Sequence, residues 1–190
     1  MRITPLPPAQ LSAEARYVHD EIAGLIGRSQ GQVNMQNAEG ALLGPFPPML
    51  QYPQFGTAAL SFLRTLDTHA TIDKRVREVV ILTVGAAFNA RFELYAHEIM
   101  AKALGLTPHV IAVLAAGGTP YGLTEQENIA HHIASILAAG RAVPASMYNH
   151  ATDLFGSDGV AEIFFLVGGY SLIAMILNGF DISAPENDLA

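Results

Sequence analysis

The stretch VAEIFFLVGGYSLIAMIL, residues 160–177, constrains this chain more than any other. It carries one charge, Glu162, along its whole length, so it either crosses a bilayer or is enclosed by protein. Its length is at the lower limit for a span, and Glu162 and the pair Gly168-Gly169 interrupt it. The expectation is a fully buried helix at a subunit interface, with a membrane span as the alternative. Few charges elsewhere support this: 14% of the 190 residues are charged and 51% are hydrophobic, against roughly 25% charged in an ordinary soluble domain. A chain this apolar is expected to bury surface between copies as well as within one, as a homo-oligomeric dimer, trimer or hexamer.

The remaining pattern is helical nearly throughout. Ser12 can cap a helix carrying Val18, Ile22 and Leu25, with Gly27 as terminator. Residues 28–50 follow as a long loop rich in Gly, Asn, Gln and Pro, a composition that suits a functional connection. Pro53 can open a helix with Phe55, Ala59, Phe62 and Leu66 on one side. Thr71 is expected to start the next helix, reaching Val84 or beyond, and another runs from about Asn89 to Leu104 before Gly105. Thr107-Pro108 opens a short helix, Thr124 and Glu127 form a capping box, and Pro144 starts a helix ending near Gly156. The long apolar helix from about Asp158 ends at Asn178-Gly179, and residues 181–190 form a polar tail. No segment alternates at period two for long enough to make a sheet. The fold class is all-α, one domain over 1–190 built from antiparallel hairpins.

Seventeen acidic against ten basic residues give a net charge of -7 without a basic run, which argues against a nucleic-acid partner. Cysteine is absent, which excludes disulfides, thiolate ligands and thiol redox chemistry by this chain alone. The opening residues, 1–10, read as an irregular proline-stiffened arm without the apolar core of a signal peptide, so the expected location is cytoplasmic.

Chemistry concentrates in RFELYAH, residues 91–97. Glu93, His97, Met100 and Leu104 fall on one helical stripe, two polar groups beside two apolar ones. Such a pair is a surface pair, a satisfied core pair, a proton-transfer site or part of a metal site. HEIMA, residues 97–101, lacks the second histidine of a zinc-protease motif, and His131-His132 are adjacent rather than helically spaced, so no metal is expected. Glu78, among valines and isoleucines, needs a partner if buried. Glu162 and Tyr170 share a face of the terminal helix, where an interface hydrogen bond competes with catalysis as an explanation.

The run RVREVVILTVGAAFNARFELYAHEIMAKALGLTPHVIAVLAAG, with GPFPPML at 44–50, TEQE at 124–127 and VGGYSLIAMILNGF at 167–180, resembles the carboxymuconolactone decarboxylase family, which includes the alkyl hydroperoxidase D proteins. The resemblance implies an all-helical homo-oligomer with a pocket between helices near a subunit boundary. It also implies that Ala90 and Glu93 occupy the places of the peroxidase branch's two cysteines, with His97 and Glu78 as its histidine and glutamate. Without thiols the dithiol mechanism is excluded. A cofactor-independent decarboxylase, or a related lactone isomerase or hydrolase acting on a small cyclic acid, is the better match. The alternatives are an oxidoreductase dependent on another protein's thiol, and a helical oligomer that binds a small ligand without converting it. In the enzymatic reading His97 supplies the proton, its tautomer set by Glu78 or Glu93, and Phe46, Phe92 and Met100 line the pocket with Tyr170. Arg64, Arg75, Arg77 and Arg91 are candidate anchors for a carboxylate, and Arg28 a candidate part of a cover.

Overall fold

The computed structural model describes residues 1–28 and 33–185, of which 25–28 by their backbone alone. After a 3-10 turn at Pro8–Gln10 come α1 (Ala13–Arg28), α2 (Phe46–Gln51), α3 (Pro53–Thr68), α4 (Lys74–Phe88), α5 (Arg91–Ala103), α6 (Pro108–Ala115), α7 (Glu125–Ala138) and α8 (Ala145–Gly179). Among the described residues the only β pairing is an isolated antiparallel bridge between Gln36 and Leu42. The fold is all-α, as the periodicity predicts. The expected side-chain contribution of Leu25, the proposed role of Arg28 and the last part of the tail, 186–190, lie outside the described residues.

The helix α4 is the axis of the bundle. Every residue from Val76 to Gly85 is buried, because α5, α6, α7 and α8 all pack against it. REVVILTV is continuous in apolar character for that reason: a helix covered on all sides has no face to leave polar. Val76, Val80 and Val84 meet Ile133 on α7 and Ile163, Leu166 and Val167 on α8. On the opposite side Val79 and Leu82 meet Ala101 of α5 and Val110, Ile111 and Leu114 of α6.

Two charged neighbours, Arg77 and Glu78, sit inside this axis at 7% and 5% exposure. Arg77 donates from Nη1 to Glu162 Oε1 at 2.8 Å and to the Leu66 carbonyl at 3.2 Å, and from Nη2 to Asp67 Oδ1 at 2.8 Å. Glu162 Oε2 accepts from the Thr71 hydroxyl at 2.7 Å and from the Thr71 and Ile72 N–H groups. Burial works against the Glu162 charge, but the Thr71, Arg77 and Ile72 donors outweigh it and hold the carboxyl below its ordinary value. Glu162 is thus a joint between α8, the α3–α4 connection and α4. These bonds lie within one chain.

Local signals held with three adjustments. Asp73, not Thr71, caps α4, accepting from the Arg75 N–H at 2.8 Å, because Thr71 is occupied by Glu162. The 28–50 segment contains the short helix α2, whose Pro47 and Pro48 sit in the first turn, where a missing N–H costs no helical bond. The break expected near Gly156 is present as a kink (φ 70°, ψ 171°), at which the two helical parts of α8 follow one another without an intervening loop. The capping box of Thr124 and Glu127 forms as read. Glu127, 2% exposed, also accepts from Arg75 Nε at 2.9 Å. His131, 4% exposed, is held by Thr83 and Thr119 hydroxyls at 2.9 and 3.1 Å. Burial, and secondly His132, pushes its imidazole down to about 4.

By length and composition α8 is the one described helix able to cross a membrane, and 44% of its most apolar window is buried inside the bundle. Ile163, Leu166, Ile173, Ala174 and Leu177 face inward, whereas Phe165, Leu172 and Met175 are exposed. Phe55, expected on the packed face of α3, is 73% exposed and borders a second, apolar groove of about 630 Å³ with Phe62, Leu172 and Phe180. Phe55 points outward because α3 packs on the bundle through its other residues, Phe62, Leu63 and Leu66 among them.

Replacing Arg77 with Met is expected to cost about 3–5 kcal/mol in urea unfolding, since Glu162 would stay buried without its cation. A loss below about 1 kcal/mol would show that Asp67, Thr71 and the desolvation of the pair already balance without the guanidinium.

Candidate active site

The helix α5 begins after a tight turn in which Asn89 adopts a left-handed conformation (φ 50°) and the Ala90 N–H donates to the Gly85 carbonyl at 2.9 Å. This turn lays α5 antiparallel against α4 and brings His97 opposite Glu78. His97 Nδ1 lies 2.8 Å from Glu78 Oε2, with side-chain exposures of 10% and 6%. A carboxylate at Nδ1 fixes the tautomer with its proton there and leaves Nε2 as the free nitrogen. Of the two glutamates considered for orienting the ring, Glu78 makes the bond.

A cavity of about 720 Å³ opens on the other side of the ring. Six of the residues expected around a pocket line it: Phe46, Arg64, Phe92, Met100, Tyr170 and His97 itself. Glu93 also contributes to the wall. Phe92 is fixed from behind by Gly44, whose left-handed φ of 67° suits glycine and where a Cβ would strike the ring. Tyr170 meets His97 edge-on, ring centres 5.1 Å apart. Its hydroxyl has no hydrogen-bond partner among the described residues and is not among the sealed polar atoms. The same holds for His97 Nε2, so one imidazole nitrogen and one phenol open onto the same space. Burial, followed by the carboxylates of Asp67, Glu78 and Glu93, pushes the Tyr170 hydroxyl well above its ordinary value despite Arg77, which keeps it a hydrogen-bond donor.

Glu93 is different. Both its carboxyl oxygens are sealed and without a partner among the described residues, and the residue is only 3% exposed. Oε1 lies so near Gly85 that a Cβ there would stand 3.3 Å away. Desolvation raises its pKa from 4.5 to about 9, so the group is a neutral acid at pH 7. An uncharged acid beneath the imidazole avoids placing a second buried negative charge near Glu78.

Three expected anchors stand elsewhere. Arg91, at the first position of α5, points to the outside and binds Asp181 at 2.8 Å, both half exposed. Arg75 and Arg77 are engaged with Glu127 and with Glu162 and Asp67. Arg64 remains at the rim, 3.6 Å from Glu21 of α1. Sequence reasoning missed the other wall: Leu60 and Leu63 of α3 and Ile173 and Leu177 of α8. Leu60 and Leu63 lie off the stripe of Phe62 and Leu66, and nothing in one sequence tells a second apolar face from a wider core. Among the described residues no group of three or more His, Asp or Glu side chains is placed to hold a metal ion.

This arrangement of helices is that of an alkyl hydroperoxidase D-like protein. The alkylhydroperoxidase AhpD core of an uncharacterized peroxidase-related protein from Ralstonia eutropha JMP134 matches with TM-score 0.78 at 15% identity, over 98% of this chain and 93% of that one. The debrominase Bmp8, as a cysteine-to-alanine variant in complex with 2,3,4-tribromopyrrole, matches with TM-score 0.72 at 12% identity, over 98% and 92%. A protein of unknown function from Agrobacterium tumefaciens matches with TM-score 0.65 at 16% identity, over 72% and 94%. At these identities the likeness is one of fold. Residues 53–139, from α3 through α7, match the carboxymuconolactone decarboxylase family, here in a sequence without cysteine. No curated protein matches it.

The neutral state of Glu93 has a measurable signature. Its folded pKa of about 9 exceeds the unfolded value of 4.5, so the folded chain keeps a proton that the unfolded chain releases above pH 4.5. Stability from this group is complete below pH 4.5 and falls as pH rises toward 9. Glu93→Gln removes this slope. The stability of E93Q relative to wild type is expected to rise by up to about 3 kcal/mol between pH 4.5 and 7 in paired urea titrations. A difference independent of pH would mean that the acid ionises normally.

Proposed function

We propose that this protein is a cofactor-independent acid/base enzyme that moves a proton on a small cyclic carbonyl compound, such as an unsaturated lactone. The observation that carries the reading is an imidazole anchored at Nδ1 by buried Glu78 with Nε2 open to a cavity of about 720 Å³. In this reading Nε2 takes a proton from a carbon conjugated with the ring carbonyl. The C–H electron pair passes into the π system and onto the carbonyl oxygen, giving a dienolate. The Tyr170 hydroxyl donates to that oxygen, and the imidazolium, steadied by Glu78, returns the proton at a different carbon. The apolar walls formed by Phe46, Phe92 and Met100 exclude water and strengthen both interactions. Loss of CO2 from a carboxylated lactone, the reaction in the family's name, passes through the same type of anion, and His97 would there supply the proton. No thiol is needed, which suits a chain with alanine and glutamate at positions 90 and 93.

We also propose that the chain assembles as a homo-oligomer through the outer stripe of α8, where Phe165, Leu172 and Met175 recur at offsets of seven and three. A Leu172→Lys, Met175→Lys double variant is expected to elute as a smaller species than wild type in light-scattering chromatography. An unchanged mass would remove this face from the assembly.

The catalytic reading is tested by proton NMR in deuterium oxide with a panel of cyclic enones and butenolides. Wild type is expected to exchange ring protons of at least one compound, and His97→Ala to be slower by about 10²- to 10⁴-fold, roughly 3–5 kcal/mol of barrier. Glu78→Gln is expected to be slower by about 10- to 100-fold with a displaced pH profile, because Nδ1 loses its anionic partner. Exchange at the wild-type rate by H97A would refute the assignment. Saturable binding without exchange would favour the ligand-binding role.

A further inference from the structure

The charges around the cavity point to the class of ligand. Arg64 is the one guanidinium or ammonium on its wall among the described residues. It stands at the rim, 53% exposed, and faces Glu21, itself a wall residue. Asp67, also on the wall, is tied to Arg77 from behind. The His97–Glu78 pair carries one negative charge with a neutral ring and none with a protonated ring, so neither state offers net positive charge. Glu93 is uncharged or adds a further negative charge. The interior between these groups is made of Leu60, Leu63, Phe92, Ile173 and Leu177.

From this inventory we infer that the site takes an uncharged ring compound bearing a carbonyl and an apolar substituent, and discriminates against the corresponding carboxylate. A carboxylate placed against His97 would be desolvated between carboxyl groups, with no cation among the described residues but the rim guanidinium of Arg64, already facing Glu21, whereas a neutral carbonyl needs only the Tyr170 hydroxyl as donor. The volume supports the substituent: about 720 Å³ is within the range of pockets that enclose drug-sized ligands, far beyond a bare lactone ring. In such a site the chemistry is the shift of a double bond by proton removal and return, without release of CO2. The inference rests on the acid/base reading for that reaction, but its ligand preference stands on the cavity alone.

Binding separates the two. A γ-carboxylated butenolide and its methyl, butyl and hexyl esters are titrated against the whole chain at pH 7 by ligand-observed NMR and calorimetry. Arg28 is included in the whole chain, so a cation outside the described residues would reveal itself as acid binding. The methyl ester is expected to bind at least tenfold tighter than the acid, and each further methylene to tighten binding by about three- to fourfold until the cavity is filled. Glu21→Gln, which releases Arg64, is expected to narrow the gap between acid and ester. Equal or tighter binding of the acid overturns the inference. So does an unchanged gap in E21Q, or no binding of any member at millimolar concentration. Ester binding without deuterium exchange would leave the preference standing and remove the catalytic reading alone.

Discussion

The structure depends on how one helix, buried from Val76 to Gly85, accommodates two opposite charges side by side. Arg77 and Glu78 cannot reach solvent from the centre of the bundle, and an isolated charge there would cost several kcal/mol. Each is met by a different layer. Arg77 turns toward Glu162 and Asp67, on α8 and α3, and Glu78 turns toward His97 on α5. The first pairing gathers the α3–α4 connection by way of Thr71 and Ile72. The second leaves an imidazole with one nitrogen held and one free. A structural solution for one residue and a chemical opportunity at the next therefore come from the same turn of helix.

The bundle then builds the cavity around that free nitrogen. The short turn at Asn89-Ala90 fixes α5 against α4, Phe92 is held by close approach of Gly44, and Tyr170 comes from the apolar helix that closes the fold. The polar residue Tyr170 and the carboxylate Glu162 share a helix whose length and composition would also allow it to cross a membrane. Glu162 caps a neighbouring segment, and Tyr170 faces the cavity.

Much of this was legible in the sequence because it rests on local rules. Helix starts at Pro53, Pro108 and Thr124 and the break at Gly156 follow from backbone preferences that do not need a partner. The pairing of Glu78 with His97 was also approachable, since a buried glutamate beside VVIL must find a donor. Less accessible were outcomes set by competition across the fold. Thr71 lost the capping role to Asp73 because a carboxylate ninety-one residues away claimed it. Arg91 has the spacing of a site residue yet turns to Asp181, and Phe55 follows a packed stripe yet stands in a groove. Glu93 sits on the right stripe, but only three-dimensional packing reveals that its oxygens are sealed rather than offered to the cavity.

The sequence adjacency of Arg77 and Glu78 ties robustness to reactivity. They share a peptide bond, so a displacement of the axis helix cannot be confined to the scaffold; it is passed to the imidazole one residue's reach away. Conversely, whatever tightens the grip of Glu162 on the start of that helix also narrows the ring's range of orientations.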